Sequence, residues 1–131
     1  MDDAARREAG MKVRRTILGD AHVDRSIASN SPLTADFQDM IVRYAWGEIW
    51  TRPGLDHRTR RLLVLTTTAA MGRWEEFRLH IRAGLEGGLT LSDITETLLQ
   101  LAVYAGVPAA NTAFHIVEEV LAQVGQTPKQ K

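Results

Sequence analysis

Apolar side chains recur along this chain every three or four residues, and no stretch of four or more positions alternates convincingly between apolar and polar. That is the period of helices packed by one face, so the pattern predicts an all-α protein. The clearest stripe is Trp74, Phe77, Ile81 and Leu85, in a segment that follows Gly72 and stops at Gly87-Gly88, a pair suited to a helix C-terminus. Thr90-Leu91-Ser92-Asp93 then has the form of a capping box. Leu91, Ile94, Leu98, Leu101 and Ala105 repeat up to a break at Gly106-Val107-Pro108, and Val107, Ala110, Phe114, Val117, Leu121 and Val124 alternate at three and four after it. Upstream, Thr34 is placed to cap a helix carrying Phe37, Met40, Ile41, Tyr44, Ala45 and Ile49 as far as Thr51-Arg52-Pro53-Gly54. The next helix, with Asp56 at its cap, is apolar nearly all round from Leu62 to Met71 and reads as a central core helix. Residues 2–17 form an amphipathic helix with Ala5, Ala9, Val13 and Ile17 on one face. From Gly19 to Pro32 the periodicity is weak, which reads as mostly loop with room for a short helical turn. The expected total is about six helices, the last four joined by short breaks as in an antiparallel bundle.

At 131 residues the expectation is a single domain over 1–131, with its core at about 10–125 and a polar, frayed tail at 126–131. Hydrophobic content of 44% and charged content of 24% are those of a globular protein. Sixteen basic residues balance sixteen acidic ones, which argues against nucleic acid or an anionic membrane as partner. The first residues lack the apolar core of a signal peptide and no long uncharged run follows, so the expected compartment is the cytoplasm. The absence of cysteine excludes disulfides, thiolate metal sites and thiol redox catalysis together. None of the four histidines forms an HxxxH or HxH pair, so no metal is expected.

Beside the apolar stripe of the Trp74 helix lie Arg73, Glu76, His80 and Gly84, one per turn. Glu76 and His80 are four apart and can interact along one edge. An imidazole with a reference pKa of about 6.5 exchanges protons readily at neutral pH, and the plain alternative is polar packing. Gly84 implies either close helix contact or room for a ligand. Arg52, Arg58, Arg60 and Arg61 cluster around a helix N-terminus, where guanidinium forks and backbone N–H groups together suit an anion. They could equally snorkel from a core helix towards nearby acids. Trp46 and Trp50 fit a core or an interface better than a ligand platform. Tyr104 and Asn111 flank the Gly-Pro junction and could line a pocket or fix the turn. These residues are compatible with cofactor-free acid–base chemistry on a small anion, without choosing the reaction.

Four segments resemble the carboxymuconolactone decarboxylase family in order and spacing: Gly19 to Arg25, Ala45 to Leu55, Glu76 to Ala83, and Tyr104 to Asn111. The resemblance implies the helical fold of the alkylhydroperoxidase D-like proteins and a ring-shaped homo-oligomer, commonly a hexamer built as a trimer of dimers. It implies the loss of carbon dioxide from γ-carboxymuconolactone to give β-ketoadipate enol-lactone, in the protocatechuate branch of aromatic breakdown. Peroxidase relatives carry a CxxC pair before the histidine. Here Arg73 and Glu76 stand in those places, so the thiol cycle is excluded. On this footing His80 is the expected proton donor and Glu76 its orienting partner. Arg52 and Arg60, with Arg58, are expected to bind carboxylates, and His22, Trp46, Tyr104 and Asn111 to reach the same pocket. No cofactor and no metal are implied. The alternatives are a decarboxylase or isomerase of a related lactone, and a non-enzymatic helical assembly that binds small anions.

Overall fold

The computed structural model describes residues 1–124, so the polar tail expected at 126–131 lies outside the described residues. Among the described residues there are seven α-helices, one π-helical segment and no strand. The all-α expectation holds, with one helix more than anticipated. The chain forms two compact units, Met1–His57 and the part from Arg58 onward.

The N-terminal unit contains α1 (Asp3–Leu18), α2 (Asp20–Ala28) and α3 (Ala35–Ile41), which runs straight on into a π-helical segment, Val42–Ile49. Asp2 caps α1 by accepting from the Ala5 N–H at 2.8 Å. Gly19, at φ 87°, lets the chain end one helix and begin the next without a linker. Helix α2 corrects the loop expected between Gly19 and Pro32. Val23 is its one buried residue, so it leaves little apolar rhythm to detect. Arg15 of α1 reaches both Asp20 and Asp24 of α2 at 2.9 Å, tying the two helices by charge. Thr34 also differs from expectation. Its hydroxyl turns back to accept from Ser31 N–H at 3.0 Å and to contact Asn30 Oδ1 at 3.1 Å, and it does not cap α3.

Of the expected α1 stripe only Ile17 is buried, and the buried face is Gly10, Arg14, Ile17 and Leu18. The reason is a backbone crossing. A Cβ on Gly10 would stand 2.7 Å from Gly47 N, and one on Gly47 would stand 3.0 Å from the Arg6 carbonyl carbon. Two glycines therefore let α1 and the π segment touch by backbone, and that contact rotates α1 about its axis. In the π segment Trp50 N–H donates to Ala45 O at 3.0 Å, one residue further back than in an α-helix. This wider turn accompanies a stack of Trp46 on Trp50, with ring centroids 5.1 Å apart. The Thr51 hydroxyl donates to the Gly47 carbonyl at 2.7 Å.

The C-terminal unit holds α4 (His57–Ala70, starting one residue before the boundary), α5 (Trp74–Glu86), α6 (Leu91–Ala105) and α7 (Val107–Val124). Its core joins Leu65, Phe77, Ile81, Ile94, Leu98 and Val120, all essentially inaccessible to water. The expected stripe of α5 and the capping box of α6 are both present. Thr90 Oγ1 accepts from Asp93 N–H at 3.0 Å, and Asp93 Oδ2 accepts from Thr90 N–H at 2.9 Å. Helix α4 differs from the expected all-round burial. Arg61, Leu65 and Ala69 are buried on one line, while Leu63 and Thr67 are exposed. Val107 is likewise exposed, and Ala113 and Val120 carry the buried face of α7 with Ala110 and Val117. At Gly84 a Cβ would meet Leu89 Cδ1 at 2.6 Å, so the missing side chain serves close packing.

Candidate active site

His80 is placed by the helix that carries it. Phe77 and Ile81 of α5 are fixed in the core, and the imidazole, beside them on the flank of that stripe, is drawn down to 6% exposure. Buried imidazoles are uncommon without a polar role, because desolvation disfavours their charged form. One turn earlier, Glu76 brings Oε2 to 4.0 Å from His80 Nε2. This is contact distance for an ion pair, longer than a hydrogen bond. The Glu76 side chain is 63% exposed, so water screens the pair. The geometry suits a carboxylate that biases the orientation of a sheltered imidazole.

The arginines at the start of α4 separate into three environments. Arg58 is exposed and donates through Nη2 to Oδ1 of the buried Asp93. Asp93 thus serves the α6 cap and a cation on α4 at once. The Arg58 guanidinium, helped by Thr90, holds the Asp93 carboxyl below the usual carboxylate range. Arg60 is half-buried. Arg61 is almost completely buried, and burial pushes its pKa down. Its guanidinium lies so close to the Gly87 backbone that any Cβ at position 87 would collide with it.

Of the other sequence candidates, Tyr104 and Asn111 are exposed on α6 and α7, on either side of Gly106. Three belong to the N-terminal unit. His22 is half-buried on α2, Trp46 is buried against Trp50, and Arg52 is exposed in the turn after the π segment. Trp50 is in turn 6.2 Å from the His57 ring, centroid to centroid. The structure thus brings together Glu76 with His80, and Arg58 with Asp93. Among the described residues no three potential metal ligands converge. The sequence marks Asp93 only as part of the α6 cap and not as the partner of Arg58, does not single out Arg14, and groups Arg61 with its neighbours. A signal existed for the arginines. Arg61 falls four residues before Leu65 and eight before Ala69, and Arg14 falls four after Gly10, so each lies in line with buried positions.

The profile of the carboxymuconolactone decarboxylase family matches residues 35–119, more than half of the chain. A 4-carboxymuconolactone decarboxylase of Acinetobacter baylyi is 42% identical over 130 residues, covering 99% of this chain and 97% of that protein. Nitrosuccinic acid decarboxylase of Metarhizium robertsii is 35% identical over 114 residues, covering 87% and 80%. A 4-carboxymuconolactone decarboxylase sequence of Pseudomonas putida is 50% identical over 48 residues, 37% of this chain and 100% of that sequence.

Proposed function

The chain belongs to the carboxymuconolactone decarboxylase family, and from that premise we propose that it is a carboxy-lyase converting γ-carboxymuconolactone to β-ketoadipate enol-lactone. The observation that carries this reading is the near full-length similarity to the Acinetobacter enzyme named for that substrate. In the reaction the bond from the ring carbon to its carboxylate breaks and carbon dioxide leaves. The electron pair spreads into the unsaturated lactone, where the carbonyl oxygen takes the charge, and the ring carbon then receives a proton. The substrate is its own electron sink, so the reading requires no cofactor. The protein has to hold carboxylates, stabilise the oxyanion and deliver the proton.

His80 is the proposed proton donor. Its burial keeps a transferred proton from exchanging with bulk water, and Glu76 is its positioning partner. Arg60 is the proposed carboxylate ligand of α4, and Arg58 contributes to the extent that Asp93 releases it. Tyr104 and Asn111 are carried as contacts to the ring. Arg52 as a carboxylate ligand, and His22 and Trp46 as substrate contacts, rest on the sequence resemblance alone. A homo-oligomer, the hexameric trimer of dimers implied by the family, is the proposed assembly. Leu33, in the turn before α3, and Phe37, Met40 and Tyr44, along α3 and the π segment, support self-association by exposing apolar side chains. The cytoplasm is the proposed compartment. Among the described residues no helix is long and apolar enough to cross a membrane.

The test is turnover by the purified protein of γ-carboxymuconolactone and, in parallel, of nitrosuccinate, each read as carbon dioxide released above the uncatalysed rate. Turnover of the lactone is expected. Release from nitrosuccinate alone would keep a decarboxylase and overturn the substrate. Release from neither would overturn the reading.

A further inference from the structure

The N-terminal unit contains a half-open cavity of about 290 Å³ enclosed by α1, α2, α3 and the first residue of the π segment, and none of the residues nominated for the reaction lines it. Its polar centre is Arg14, which is only 7% exposed. Arg14 Nη2 donates to Ser26 Oγ at 2.9 Å, while Nε is buried with no hydrogen-bond partner. Among the described residues no carboxylate lies within ion-pair distance of Arg14, and burial together with the neighbouring charge of Arg15 pushes its pKa down. A buried guanidinium without a counter-charge is costly and is normally offset by an anion.

The one acid in the cavity wall, Asp39, does not supply that charge. It is taken up on both oxygens, by Arg7 Nε at 2.6 Å and by Arg43 Nε at 2.8 Å. The Ser26 hydroxyl already accepts from Arg14, which leaves its own hydrogen to donate. Around these polar groups the cavity is walled by Met11, Ile27, Ala35 and Val42, and the amides of Asn30 and Gln38 also line it. One uncommitted cation, one hydroxyl donor and a wall that is partly apolar and partly neutral and polar describe the complement of a short organic acid. A doubly charged phosphate would find only one uncommitted cation, and a bare halide would leave the apolar walls wet.

We propose that this cavity is a binding site for a small organic monocarboxylate, held by the Arg14 guanidinium and the Ser26 hydroxyl with its carbon chain against Met11 and Ile27. The site is separate from the reaction assigned to His80, so the two readings fail independently.

Isothermal titration of sodium butyrate into the purified full chain tests it, with butyramide and sodium chloride as controls at matched ionic strength. Saturable binding of butyrate and none of butyramide is expected. Arg14→Met keeps the length of the side chain and removes the buried charge, so the fold is expected to survive while butyrate affinity falls by about tenfold or more. Arg14→Lys, which retains charge without the fork, is expected to bind more weakly than the parent. His80→Ala is expected to bind butyrate as the parent does. No saturable binding to the parent, or undiminished binding to Arg14→Met, would overturn the proposal. So would loss of butyrate binding in His80→Ala, which would move the ligand to the reaction site. Dissociation of the assembly in Arg14→Met, with no butyrate binding by the parent, would instead assign the counter-charge to a second copy of the chain.

Discussion

The two units of this protein bury charge in opposite ways. In the C-terminal unit the buried acid Asp93 is answered by a cation and by a cap, and it sits at the edge of an apolar core built on Phe77, Ile81 and Leu98. In the N-terminal unit the buried cation Arg14 has only a hydroxyl, and the helices around it meet through the backbones of Gly10 and Gly47. Ion pairs such as Arg6 to Glu48, at 3.0 Å, finish the edges. The C-terminal unit has the larger apolar cluster, whereas the N-terminal unit adds a backbone crossing and ion pairs to a smaller apolar set that includes Ile17, Val23, Val42 and Trp46. The first kind of packing tolerates partial exposure of a helix like α4. The second leaves a cavity and an unanswered guanidinium.

If that contrast is right, the largest effect of a single substitution belongs in the apolar core. Phe77→Ala is expected to lose about 3–5 kcal/mol, read from the urea midpoint, because a fully buried ring leaves a cavity. A loss below about 1 kcal/mol would mean that the core is not the organising feature. In the other unit, the smallest possible addition is expected to hurt. Gly47→Ala puts a methyl against the Arg6 carbonyl and is expected to cost about 1–3 kcal/mol, where a helix surface would gain from the same change. Unchanged or increased stability would show that the backbone contact is looser than described.

Asp93→Ala removes the reciprocal cap of α6 and the partner of Arg58, and is expected to cost about 1–2 kcal/mol by the same measurement. The smallest effect is electrostatic. Arg7 and Arg43 hold the Asp39 carboxyl at about 2 against an ordinary 3.8. Its folded pKa is depressed, so its contribution is complete above 3.8 and is lost as pH falls towards 2. Asp93 is shifted in the same direction, so the contribution of Asp39 is measured as a difference from Asp39→Asn. The parent is expected to lose more stability than that variant as pH falls through this window. Parallel curves would show the pair to be idle.

The same contrast governs what could be read from the sequence. Helices α5, α6 and α7 were legible because apolar burial leaves a period, and the α6 cap because its four residues have fixed roles. Helix α2 was not legible, since one buried valine and two ion pairs to Arg15 make no stripe. The face of α1 was misjudged for a related reason. Alanine and valine suggest a buried side, but a glycine crossing decides rotation by backbone contact. At the candidate site, the Glu76–His80 adjacency followed from helical spacing alone. The burial of one partner and the exposure of the other depended on where the core stripe sits. The pairing of Arg58 with Asp93 spans two helices and had no local signature.

The most direct measurement of the central claim is kcat of His80→Ala with γ-carboxymuconolactone, alongside the parent and a circular dichroism check of helix content. With the fold intact, a fall in kcat by about 10²–10⁴ is expected if the buried imidazole delivers the proton. A loss of tenfold or less would contradict that role and leave His80 as a structural residue of α5.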